Sequence, residues 1–326
     1  MRSGFWGLLV GIAMCFSVAA QTGVVLGPLS GYIEDVPTQS IRPIVGIPGG
    51  AYLGNPVWKN IERAWVSPAG ARAVVRRAGG YAIVSGLNTP EPTEQNLPIE
   101  PVGLAVMRVA WSADGSAVAV AGGGQLQVVF WQEKERRWIL DPPLSIPAEP
   151  ITALAMGSKN GAVAFATSGD LAGCVYARWD RNENPQLLTQ TGIVGALVYA
   201  RDGETLYVSD RTASEITRMA RSGHGMPVAV ATADEPENYR DVVALALSAD
   251  DRTLYSVHEQ RRQVIIHNLE EGSERRVNLE GKPNEILGLP GSGLYIVAVR
   301  EKSSDPVLIF DSGSDAFYFV PAGSVQ

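Results

Sequence analysis

One short turn recurs along the chain. It reads Ser67-Pro68-Ala69-Gly70, Ser112-Ala113-Asp114-Gly115, Ser158-Lys159-Asn160-Gly161, Ala200-Arg201-Asp202-Gly203, Ser248-Ala249-Asp250-Asp251 and Pro290-Gly291-Ser292-Gly293. Successive turns start 45, 46, 42, 48 and 42 residues apart. A period of that size makes the chain an array of like units, not the two ordinary domains that 326 residues would allow. Apolar runs precede the turns, as in Val109–Trp111 and Ala244–Leu247. Others follow them, as in Ala117–Ala121, Ala162–Ala166, Thr205–Ser209 and Leu294–Val299.

The remainder of each unit has room for two more strands. Gln127–Trp131, Val175–Asp180, Gln263–Asn268 and Val307–Asp311 read as third strands. Trp138–Leu140, Gln186–Thr189, Val228–Ala231, Arg275–Asn278 and Ala316–Val320 read as fourth strands. They are short, rich in Val, Ile and Tyr, and bounded by Gly, Pro, Asn and Asp. No helix of ten or more residues is expected. A four-stranded unit of this length is a β-propeller blade, whose two apolar faces are covered only when blades pack radially and the ring closes. A β-sandwich is the competing all-β fold, but it has no need of such a period.

Six units run from about Ile61 to Ala322. Ahead of them, Gly31–Asp35 and Ser40–Val45 read as a third and a fourth strand. The fold class expected is therefore all-β, a single propeller. Seven blades with an incomplete N-terminal one are favoured, because two unpaired strands would otherwise expose edges; six blades with added edge strands is the alternative.

The units resemble the YVTN/WD40-like family of bacterial propellers. Ala200-Arg201-Asp202-Gly203 is followed by Leu206-Tyr207-Val208-Ser209, and Ser248-Ala249-Asp250-Asp251 by Leu254-Tyr255-Ser256-Val257. Leu294-Tyr295-Ile296-Val297 follows its turn two residues sooner, and Arg178-Trp179-Asp180 places a Trp-Asp pair at the end of a third strand. The resemblance implies a propeller over about Gly31–Ala322. It implies little about function, because one fold carries many sites.

Met1–Ala20 has the charged, apolar, small-residue order of a signal peptide, with Arg2 ahead of Phe5–Val18 and Val18-Ala19-Ala20 at its end. The expected domains are thus a signal peptide, 1–20, and a propeller, 21–326, with secretion or a periplasmic address. No membrane span remains after cleavage, since no other segment is long and apolar enough. The remaining 306 residues carry 26 basic and 34 acidic side chains, a balance that argues against a nucleic-acid partner. One cysteine survives, Cys174, and it reads as a buried thiol with no disulfide to make.

In a propeller, the loops after second strands and those entering first strands share one face around the central channel. The former carry Arg76 and Arg77, Ser168 and Asp170, Asp210 and Arg211, His258 and Glu259, and Arg300 and Glu301. The latter carry Glu62 and Arg63, Arg108, Arg240 and Asp241, and Asn284 and Glu285. The binding residues expected are Arg76, Arg77, Arg108, Asp210, Arg211, His258, Glu259, Arg300 and Glu301. A mixed ring of Arg and carboxylates suits a partner protein, an extracellular polymer or a small polar ligand; loop polarity for solvent alone is the plainer reading.

No cofactor and no metal is expected. His224, His258 and His267 lack ligand spacing, and Asp180–Asn184 reads as a turn in which Pro185 stands where a calcium loop needs Gly. Gly-x-Ser-x-Gly and phosphate-loop motifs are absent, and Trp65 and Trp111 suit packing between blades. Three functions stay open: a non-catalytic binding module, a lactonase-like hydrolase using Asp210, His258 and Glu259, and a structural envelope-assembly protein.

Overall fold

The computed structural model describes residues 27–99, 108–122, 124–147, 149–158, 160–168, 173–221, 225–230, 238–291, 293–298, 300 and 302–321. Their strands form seven antiparallel sheets, the blades of a β-propeller. Blade 1 holds β1 (Leu29–Asp35), β2 (Ser40–Val45), β3 (Tyr52–Leu53) and β4 (Trp58–Lys59). Blade 2 holds β5 (Arg63–Val66), β6 (Arg72–Arg77), β7 (Gly80–Ser85) and β8 (Thr93–Leu97), paired in chain order. The innermost strands of the next five are Arg108–Trp111, Ile151–Met156, Val194–Tyr199, Val242–Leu247 and Leu287–Gly288. The only helix among the described residues is a 3-10 turn, Val36–Thr38.

Burial follows position in the blade. Second strands lie between two neighbouring blades and are largely buried; every residue of Thr205–Asp210 is buried. Outermost strands are in general more exposed, and in Glu274–Asn278 every residue but Val277 is exposed. Blades mesh by setting small side chains against large ones. Ala162, Ala164, Ala166 and Ala177 of blade 4 pack with Leu197, Tyr199, Leu206 and Met219 of blade 5. Such meshing fills the wedge between sheets without voids.

The recurring turn joins first and second strands at one end of the channel. In Ser112–Gly115 the Ser112 hydroxyl donates to Asp114 Oδ1 (2.6 Å) and accepts from the Ala117 amide (2.9 Å). Ser248 does the same with Asp250 and Thr253, at 2.6 and 2.9 Å. The fourth position adopts φ of 75° at Gly70, 66° at Gly115, 70° at Gly161, 72° at Gly203 and 62° at Gly293. Glycine recurs there because this left-handed geometry carries no penalty for it; Asp251, at φ 59°, is the tolerated exception. Third strands end on turn-forming acceptors as read: Asn268 Oδ1 accepts from the Glu270 and Glu271 amides, and Asp180 Oδ1 from the Asn182 amide.

Blade 1 departs from the sequence reading. Gly31–Asp35 and Ser40–Val45 are not the outer two strands, because β3 and β4 both pair with the far edge of β2. The blade is therefore three strands deep, and β1 is its channel-side strand among the described residues. Its direction also differs. The end of β1 meets the start of β5, where the Ala64 amide donates to Glu34 Oε1 (2.7 Å). At the start of β1, Gly31 abuts Leu289 and Pro290, and Pro290 also abuts Gly70, just past the end of β5. So β1 runs opposite to β5, as a second strand would. Short outer strands such as Tyr52–Leu53 give no periodic signal, which is why the reading placed the blade one strand too far out.

Side chains close the ring between the last blade and the first. Ile33, Ile44 and Leu53 pack with Leu289, Leu294, Ile296, Val307 and Ile309. Beside them, fully buried Asp35 takes Arg42 Nη1 on one oxygen and Arg300 Nη1 on the other, both at 3.1 Å.

Candidate functional site

The channel encloses a cavity of about 770 Å³, lined by strands from all seven blades. Most of the side chains that line it are apolar: Val109, Ala110, Leu154, Ala155, Val198 and Ile286 are representative. Trp65, Trp111, Tyr199 and Tyr295 add aromatic surface. Trp111 also ties blades together, donating from Nε1 to the Trp65 carbonyl (2.9 Å) and meeting Trp138 edge-on at 5.8 Å.

Charge is confined to the two ends. At the end opposite the recurring turns, Glu34 on β1, Arg63 on β5 and Glu285 beside Leu287–Gly288 line the cavity. Glu34 Oε1 accepts from Arg63 Nε (3.1 Å) and the Ala64 amide (2.7 Å). Burial raises the Glu34 pKa, opposed by the Arg63 charge and these bonds. Glu285 differs: its Oε1 is shut from solvent and accepts no hydrogen bond. Burial first, and the Glu34 charge second, push its pKa up to about 7, with Arg63 drawing it down. Two carboxyls that resist ionising together, beside a half-exposed guanidinium, leave this end short of positive charge. At the other end, Asp251 Oδ2 accepts from the Arg201 amide (2.8 Å), while its Oδ1 is buried without a partner.

The residues expected to bind are dispersed by the fold. Arg76 pairs with Glu62 (2.8 Å), and Arg108 is exposed where its strand starts. Arg77 turns outward, pairing with Glu94 (3.0 Å) over the Trp58 ring at 5.2 Å. Arg211 Nε donates to the Arg240 carbonyl (2.7 Å), and Glu259 pairs with Lys282 (2.6 Å). Asp210 is buried as a loop staple: it accepts from the Thr191 hydroxyl and the Gly192, Thr212 and Ala213 amides. Burial raises its pKa, but those bonds outweigh it and hold the net value below the usual carboxylate range. His258 is sealed inside blade 6, with Nδ1 on Asp241 (2.9 Å) and Nε2 on the Ser256 hydroxyl (3.0 Å). Burial lowers its pKa despite Asp241. Arg300 is buried on Asp35, as above. Glu301, Asp170 and His224 lie outside the described residues.

Asp210, His258 and Glu259 share a loop position, but each is committed to partners of its own: Asp210 to Thr191 of blade 4 and nearby loop amides, His258 to Asp241 and Ser256, and Glu259 to Lys282. Glu285 was visible as a charged residue entering a first strand. Glu34 was missed as a site residue, because it lay in a strand read as outer. Among the described residues no three His, Cys, Asp or Glu side chains gather as a metal site.

No protein family matches the sequence, and neither does any curated protein. Solved structures share the fold. Virginiamycin B lyase from Staphylococcus aureus has a TM-score of 0.53 at 14% identity, over 80% of this chain and 83% of that one. A protein from Lactobacillus plantarum has a TM-score of 0.62 at 14% identity, over 90% and 96% of the two chains. Sqt1 from Saccharomyces cerevisiae has a TM-score of 0.54 at 9% identity, over 91% and 89%. At these identities the likeness defines the chain as a β-propeller and says nothing of its activity.

Proposed function

We propose that this protein is an exported, non-catalytic binding module of the YVTN/WD40-like kind, which takes a group of its partner into the channel end that carries Glu34, Arg63 and Glu285. The observation that carries this reading is the large cavity, lined mainly by apolar side chains, with a buried, unpartnered carboxylate oxygen on a residue at its mouth. A few polar groups on an apolar wall are what orient a bound ligand. Export rests on the Met1–Ala20 pattern; N-terminal sequencing of the protein recovered outside the cytoplasm should start at Gln21, and a retained Met1–Ala20 would overturn it.

Capture from an envelope extract tests the binding face. Charge reversal at Arg63 and Arg108 should change the set of captured partners, whereas Arg252→Ala, at the recurring-turn end, should not. Identical sets for all three proteins overturn the reading.

One observation favours a second reading, a lactonase-like hydrolase. A carboxyl titrating near 7 inside a cavity is suited to general acid–base work. The group in question is then Glu285 and not the sealed His258. Turnover of a lactone panel that disappears in Glu285→Gln would support it; no turnover of any member removes it.

A further inference from the structure

We infer that the channel binds an organic cation, an ammonium or guanidinium group on an apolar stem, with its charged head at Glu285 and Glu34. This deepens the binding-module reading and rests on it. Four features of the cavity point to this ligand class.

First, Glu285 lines the cavity, and its Oε1 is closed to solvent and accepts no hydrogen bond. A buried acceptor left unmade costs about 1–3 kcal/mol, and a donor carried by a ligand recovers that cost. Second, the charged groups bearing on Glu285 are Glu34 from β1 and Arg63 from β5. Arg63 is already committed to Glu34 by the 3.1 Å bond, so one of the two carboxylates lacks a counter-charge. Third, the side chains between the two ends are mainly aliphatic, with the aromatic Trp65, Trp111, Tyr199 and Tyr295 among them. Aromatic faces attract organic cations, and an aliphatic wall accepts an alkyl stem but not a hydrated metal ion. Fourth, the far end repeats the pattern, because Asp251 Oδ1 is also buried and unpartnered. An anionic ligand would meet unpartnered carboxylate oxygens at both ends.

Proton linkage follows from the same geometry. With Glu285 half-protonated near pH 7, a cation that binds its ionised form displaces about half a proton. Below that pH the cation competes with the proton, and affinity falls by up to about tenfold per pH unit.

Titration calorimetry with butylammonium and agmatine tests this, with 1-butanol and butyrate as neutral and anionic counterparts. Runs at pH 7 in two buffers of different ionisation enthalpy read the proton release directly. The cations should bind at least about tenfold more tightly than their counterparts, as a buried charge-assisted contact implies. Glu285→Gln should remove that preference. Arg63→Ala should strengthen cation binding several-fold by removing a competing positive charge, a direction that a merely structural role for Arg63 would not give. Arg252→Ala should change nothing. The pH dependence of the wild-type protein stands in if Glu285→Gln fails to fold. Equal binding of butanol or butyrate, pH-independent affinity, or weaker cation binding in Arg63→Ala would each overturn the inference. If the cations fail while the Arg63/Arg108 capture difference persists, the ligand class falls and the binding face survives; if both fail, the binding face falls as well.

Discussion

Asp35→Asn should be among the most damaging conservative changes in this protein. Asp35 is fully buried and is the shared anion between two buried guanidiniums. Arg42 also donates from Nε to the Gly54 carbonyl (2.8 Å) and from Nη2 to the Leu53 carbonyl (2.9 Å). Arg300 donates from Nε to the Asp305 carbonyl (2.6 Å). These backbone acceptors hold both guanidiniums in place, so neither can follow a lost anion into water. Removing the charge strands two buried cations, and breaking one buried pair already costs about 3–5 kcal/mol. Arg300→Met instead leaves the neutral Asp35–Arg42 pair intact. Its cost is the loss of charge-assisted bonds between the last blade and the first, about 1.5–3 kcal/mol. The Asp35→Asn/Arg300→Met double variant should then cost less than the sum of its parts, by more than about 1 kcal/mol, because Arg300 is one of the stranded charges. Urea unfolding followed by circular dichroism measures all three. The reasoning fails if Asp35→Asn lies within 1 kcal/mol of wild type, as for an ordinary surface change, or if the two costs simply add.

Three further outcomes are expected. Glu285 has a folded pKa of about 7, above its ordinary value of 4.5, so the native state holds the extra proton between them. Stability should fall as pH rises through that window, by up to roughly 1.4 kcal/mol per pH unit, and Glu285→Gln should flatten the profile in pH-dependent urea melts. His258 has the opposite sign: its folded pKa is lowered, so its contribution is present above about pH 6.5 and is lost as pH falls; an NMR titration placing its midpoint above 6.5 would contradict this. Gly115→Ala should cost about 1–2 kcal/mol in backbone strain plus the displacement of Ser67, which its methyl group would strike. Gly124→Ala, at φ 78° with open space around it, should cost the backbone part alone, and equal losses for the two would refute the contact.

Much of the fold was legible because a blade is a local object. Gln263–Asn268, Val307–Asp311 and Ala316–Val320 occur with the bounds read from their composition. Trp111 bridges two blades and Asp180 closes a turn, as their surroundings suggested. The site was legible in part. Position in the repeat put Arg63 and Glu285 on the channel face, but it gave Asp210, His258 and Arg300 the same standing, and all three are buried away as fasteners. A loop charge and a buried staple look alike in sequence, because what separates them is a partner tens or hundreds of residues away. Arg300 meets Asp35 across 265 positions.

The sequence by itself determined the repeat, its turns and the all-β class, since these follow from backbone preferences and side-chain alternation within about 45 residues. The tertiary structure alone decided which charges face one another. Ring closure reversed β1 relative to β5 and brought Glu34 to bear on Glu285, and only there does burial act on both carboxyls at once. Electrostatics in a closed channel depends on distance through space, and the order of residues along the chain does not contain that distance.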